Sequence, residues 1–153
     1  DYRNPMSQGT RAHQVAAYVV FDAPLVMLCD SPTRYMADEA CTRFIASLPV
    51  VFDTTRVLAG EIGEYIVTAR KRQDCWYVGG LTGWTPRTLD VDLSLLDPGR
   101  EYTATLLADD GRSAAEPARY VLSTQRVTSA TRLQIPVAPG GGFALKIEPA
   151  DNK

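Results

Sequence analysis

The chain has 153 residues, 45% of them apolar and 22% charged, with a formal net charge of −2. That is enough chain for one globular unit with a buried core, or for one unit plus a fragment. The dispersed Lys and Arg exclude the basic footprint of a nucleic-acid binder, and no apolar run approaches the roughly 20 residues of a membrane helix, so neither partner is expected.

The chain opens at Asp1-Tyr2-Arg3-Asn4-Pro5 with neither an initiator Met nor a signal segment, as an excised piece would. From Ala12 to Phe21 only His13 and Gln14 are polar, which predicts a helix buried on most of its circumference. Pro24 ends it and begins Leu25-Val26-Met27-Leu28-Cys29, a run apolar on both faces that reads as a strand of a parallel sheet. Asp30-Ser31-Pro32 stops that run, with Ser31 as N-cap and Pro32 as first helical residue. Met36, Ala40, Cys41, Phe44, Ile45 and Leu48 then recur at helical spacing until Pro49. Helix–strand–helix is the repeat of a β/α barrel or an open α/β sheet. A parallel strand needs a parallel neighbour, and no second one follows.

Beyond residue 50 the period changes. Glu64 to Arg70 alternates, Lys71-Arg72-Gln73-Asp74 turns, and Cys75 to Leu81 returns, which together predict a hairpin. Leu89, Val91, Leu93 and Leu95 alternate with Asp90, Asp92 and Ser94 as a strand with one wet face. Asp97-Pro98-Gly99 and Asp109-Asp110-Gly111 are turns, with a strand from Tyr102 through Leu106 between them. Tyr120–Ser123, Arg132–Val137 and Phe143–Ile147 supply three more candidates, the last two joined by Pro139-Gly140-Gly141-Gly142. Short strands at this spacing predict an antiparallel β-sandwich. The fold class is therefore mainly β, carrying an N-terminal helix–strand–helix piece.

Cys29, Cys41 and Cys75 show neither zinc spacing nor a disulfide framework, and read as buried free thiols. His13 is the sole histidine, so any site needing two is excluded, and one hydrogen bond in a buried setting accounts for it. No catalytic or metal-binding set is expected.

Several strings in this order resemble glycoside hydrolase family 97. Thr10-Arg11-Ala12-His13-Gln14, Pro24 through Pro32, Phe44 through Pro49 and Phe52 through Leu58 resemble the closing section of its barrel. Gly60 through Val67, Trp76 through Thr82 and Ala138 through Phe143 resemble its sandwich. The resemblance implies residues 1–50 as the end of a catalytic (β/α)8 barrel and residues 51–153 as a C-terminal β-sandwich domain. It further implies a parent that hydrolyses α-glucosidic or α-galactosidic bonds, with catalytic glutamates upstream of the strings found here. The family has calcium-dependent members, whose ligands would also lie upstream, so no cofactor is expected in this chain. Export to the bacterial periplasm is implied only by the resemblance.

Chemistry points the same way. Glycoside hydrolysis needs two carboxyl groups facing across a sugar, roughly 5–5.5 Å apart for retention or 6.5–9.5 Å for inversion. Barrel active sites draw residues from several strand ends, and this chain offers at most one. The chain is expected to be inactive itself, packing against and stabilising the parent barrel. Its unpartnered apolar faces, Ala12–Phe21 and Leu25–Cys29, are expected to fold back, self-associate or lose order, which predicts a homo-oligomer.

The rival reading is a carbohydrate-binding module. Asp30 follows the apolar run, where a barrel strand delivers substrate-binding residues, although capping of the next helix explains it too. Trp84, after Gly83 in a loop, offers a ring for a sugar or for packing. Trp76 and Tyr77 point to opposite faces of one strand, so one should be core and the other partly exposed. Glu61 with Glu64, and Asp90 with Asp92, read as charged strand flanks and a solvated strand face. A third reading, a small hydrolase centred on Asp30, lacks every partner it would need.

Overall fold

The computed structural model describes residues 7–28 and 30–150. Helices α1 (Arg11–Val20), α2 (Pro32–Met36) and α3 (Glu39–Ala46) come first. Eight strands follow among the described residues: β1 (Thr54–Glu61), β2 (Tyr65–Arg72), β3 (Cys75–Thr82), β4 (Arg87–Asp92), β5 (Tyr102–Ala108), β6 (Val121–Val127), β7 (Arg132–Val137) and β8 (Gly142–Pro149). Six form one sheet in the order β1-β2-β3-β8-β5-β6, and β4 pairs with β7 in a second. Every pairing is antiparallel. The expected sandwich is present, with helices on its outer face.

Alternation along the strands explains the layers. Val67, Val78, Leu145 and Ala104 face the two-stranded sheet and meet Leu89, Val91, Ile135 and Val137 in the main core. The opposite face of the six-stranded sheet carries Tyr77, Ala144 and Leu107, which meet Ala12, Val15 and Val19 of α1 with Cys41 and Phe44 of α3. β3 and β8 are thus covered on both faces. Tyr77 and Trp76 are only 6% and 5% exposed, which corrects the expectation that one would be partly solvated. The sequence period gives the two faces, but not the helix layer that closes the second.

Side-chain-free positions set the spacing at β3. A Cβ on Gly79 would lie 2.9 Å from Val19 and Val20 of α1, and one on Gly80 would lie 2.2 Å from the Phe143 ring. Helix and ring occupy those places instead.

The N-terminal part departs from the expected pattern in two ways. Residues 24–28 form no strand, and Leu25 and Met27 are 80% and 72% exposed. The expected strand's last residue, Cys29, lies outside the described residues. A strand requires a neighbour for its backbone groups, and residues 24–28 pair with no strand among the described residues. Second, the single expected helix from Pro32 is broken in two. Asp38 leaves the helical region (φ −127°) and its carboxylate accepts the Cys41 amide at 3.3 Å, so α3 starts anew from its own cap. By contrast α1 forms as expected and folds back onto the sheet, with Val15 and Val19 buried.

Candidate functional site

A cluster of polar groups lies where α1 meets the glycine-rich turn before β8. Thr10 caps α1 by accepting the His13 amide, and its own amide donates to the Gly140 carbonyl at 3.0 Å. The His13 ring joins the same turn, its Nδ1 lying 3.1 Å from the Gly141 carbonyl. A carbonyl only accepts, so that nitrogen carries the proton. Beneath the turn sits Asp109, 6% exposed. Its Oδ2 accepts the amides of Ala138 and Gly142 at 2.9 and 3.0 Å, while Oδ1 is buried without a hydrogen-bond partner. Gly141 passes so close that a Cβ there would fall 1.9 Å from that carboxylate. Asp109 is thus a clamp on the backbone.

A second buried charge fixes the departure of the exposed N-terminal segment. Arg70 projects from β2 toward the helices, 5% exposed at its side chain. It donates to the Phe21 carbonyl at 3.0 Å and to Asp22 at 2.6 Å, and lies over the Phe52 ring at 4.3 Å. Just past this anchor Phe21, Leu25, Met27, Leu28 and Met36 present apolar surface to solvent. Asp38 ties the other side down by accepting from Arg11 and from the Tyr120 hydroxyl, at 2.6 Å for the latter. Burial, then the bond to Asp38, pushes the Tyr120 hydroxyl up to about 12.

The residues singled out in the sequence are scattered over this frame. Asp30 is exposed and accepts the Ser31 amide at 2.7 Å, with Arg34 3.8 Å away. Ser31 makes no capping bond with its own side chain. Trp84 is 67% exposed, with one ring edge against Gly140. Glu64 pairs with Arg87, whose guanidinium lies 5.1 Å from the centre of the Tyr65 ring. Asp92 accepts the Ser94 amide at 2.9 Å and pairs with Arg132 at 2.7 Å; the amide, more than the arginine, holds its carboxyl below the usual range. Cys41 is buried and free, and burial pushes its thiol up to about 11, so it is no nucleophile at neutral pH. Cys75 is free and half-buried.

Two open clefts adjoin β1. One, of about 650 Å³, lies between α1 and the β1–β2 hairpin, with His13, Phe21, Val57, Ile66 and Leu81 among its walls. The other, of about 780 Å³, runs between β1 and the small sheet past Arg56, Asp90, Asp92, Arg132 and Gln134. Neither includes Asp30 or Trp84. Among the described residues no three His, Cys, Asp or Glu side chains converge as metal ligands would. Asp109 and Arg70 escaped the sequence reading. The first sits in Asp-Asp-Gly, which signals only a turn, and the second is one more cation beside Lys71 and Arg72.

The profile described as glycosyl-hydrolase 97 C-terminal, oligomerisation, matches residues 51–148. A retaining α-galactosidase of Bacteroides thetaiotaomicron is 48% identical over 147 residues, 96% of this chain and 22% of its own length. A probable retaining α-galactosidase of Streptomyces bingchenggensis is 31% identical over 136 residues, 87% of this chain and 20% of its own. This chain therefore spans about a fifth of the curated relatives it matches. A glycoside hydrolase family 97 enzyme from Pseudoalteromonas sp. strain K8, solved with acarbose, superposes with a TM-score of 0.90 at 29% identity. That match covers 94% of this chain and 23% of the other.

Proposed function

The chain belongs to glycoside hydrolase family 97 as its C-terminal domain, and from that premise we propose that it serves as the structural, non-catalytic end of an α-glycoside-cleaving enzyme. Its work is to pack against the catalytic barrel and to hold the enzyme in an oligomer. The observation that carries this is the exposed apolar stretch around Leu25 and Met27 beside a sandwich whose own cores are closed. Fully burying one such side chain is worth roughly 1.5–3 kcal/mol, so this surface favours a neighbour.

Residues 1–50 are assigned to the end of the barrel and residues 51–153 to the accessory domain. The stretch 24–28 then becomes the barrel strand it resembles once neighbouring strands offer their backbone. The names of both curated relatives favour an α-galactoside as the parent's substrate. Calcium, where the parent uses it, is assigned to the barrel, and the enzyme to the exported class.

The test uses the parent enzyme with Leu25→Ser and Met27→Ser together. Expected is loss of thermal stability and of turnover on an aryl α-galactoside, while the same pair leaves the folding of the 153-residue chain unchanged. Wild-type stability of the substituted parent would overturn the assignment. So would turnover of an aryl α-galactoside or α-glucoside by this chain alone. The rival reading rests on Trp84, the exposed ring. It predicts a saturable change of tryptophan fluorescence on glycan titration, abolished by Trp84→Ala; a flat titration removes it.

A further inference from the structure

The oligomer has a built surface in the free edge of β6. We propose that two copies of this chain join there, β6 against β6, into one continuous antiparallel sheet across a two-fold axis. The proposal rests on the oligomerisation reading above and assigns it a place.

The two edges of the six-stranded sheet are unlike. β1 is blunted: its register slips between Val57 and Ala59, and it carries Arg56 and Glu61. Such a bulge bends an edge away from pairing. β6 has no such protection. It pairs with β5 through seven successive positions without a slip, contains neither Pro nor Gly, and holds one charge, Arg126. Its first six residues are all exposed, on both faces. Val121 and Leu122 are each 43% exposed. Natural sheets seldom leave so plain an edge uncovered.

A second copy is the occupant that this edge fits. Antiparallel backbone groups are self-complementary under a two-fold, and the same patch serves both sides. An axis perpendicular to the sheet keeps each face on its own side, so residues opposite one another must share parity. The register of greatest overlap centres on Thr124, the midpoint of β6. It sets Thr124 against Thr124, Ser123 against Gln125 and Leu122 against Arg126. No like charges oppose, and the Arg126 stem lies along an apolar neighbour.

Sedimentation of the 153-residue chain with three variants tests this. Wild type is expected to be a dimer. Leu122→Lys, placed opposite Arg126 twice in the pair, weakens dimerisation roughly tenfold or more. Leu122→Glu, facing the same arginine, does not weaken it, although it removes the same apolar side chain. With Cys29 and Cys75 changed to Ser, Thr124→Cys closes a disulfide between copies under mild oxidation, since facing Cα atoms at ~4.5–5.5 Å suit that bond. A dimer indifferent to Leu122→Lys and not cross-linked through Thr124→Cys overturns the edge and leaves the oligomerisation reading standing. A wild-type chain that stays monomeric at every concentration overturns both.

Discussion

Two apolar runs in this chain meet opposite ends. Phe143, Ala144, Leu145 and Ile147 lie in β8 and are wholly buried, because neighbours on both sides take their backbone groups and layers on both faces take their side chains. Leu25, Met27 and Leu28 have similar hydropathy and length of run, yet they stand in solvent. Pattern marks both as core-forming, and the tertiary setting decides which becomes core. The N-terminal run keeps its apolar side chains at the surface.

The contrast can be pressed by substitution. Phe143→Ala removes a ring with no exposure and should cost about 3–5 kcal/mol in urea unfolding, whereas Leu25→Ala should stay within about 0.5 kcal/mol. Equal losses would mean that residues 24–28 are already packed. The same comparison holds for carboxylates. Asp109→Ala leaves the Ala138 and Gly142 amides without their acceptor, a loss of about 1–3 kcal/mol, and loosens the α1 junction as read by hydrogen exchange at Thr10. Unchanged exchange there would detach the clamp from the helix.

Asp53 is the exposed counterpart, and its effect is the smallest. The Gln73 amide at 2.7 Å, then Arg72, holds its carboxyl below 3.8. A carboxyl lowered in the folded chain stabilises above its unfolded value, and that contribution disappears as pH falls through the folded one. The stability gap between wild type and Asp53→Asn should therefore narrow on acidification below 3.8. A gap that stays constant would exclude the ionised form as the cause.

How far the fold can be read in advance follows from the same logic. The hairpin of β2 and β3, with its turn at Gln73-Asp74, is plain in the alternation, as are β4, β7 and β8. β1 is hidden because its bulge shifts parity after Val57, so no clean period survives. The break between α2 and α3 is hidden because Asp38 sits within an otherwise continuous apolar stripe. Asp109 and Arg70 are invisible for another reason. Their burial depends on a turn and a helix that arrive from 29 and 48 residues away. The family strings were readable, since they are linear; the convergence around Asp109 is not.

Gly79 and Gly80 carry one last consequence. Along that part of β3 a single peptide layer is all that divides the helix-side cluster from the one beneath the small sheet. Neither reservoir can swell without pressing on the other, so heat should release both in one calorimetric peak. A load that pries α1 from its seat would be felt at once by the Phe143 ring, and whatever α1 is attached to inherits a stiff mount.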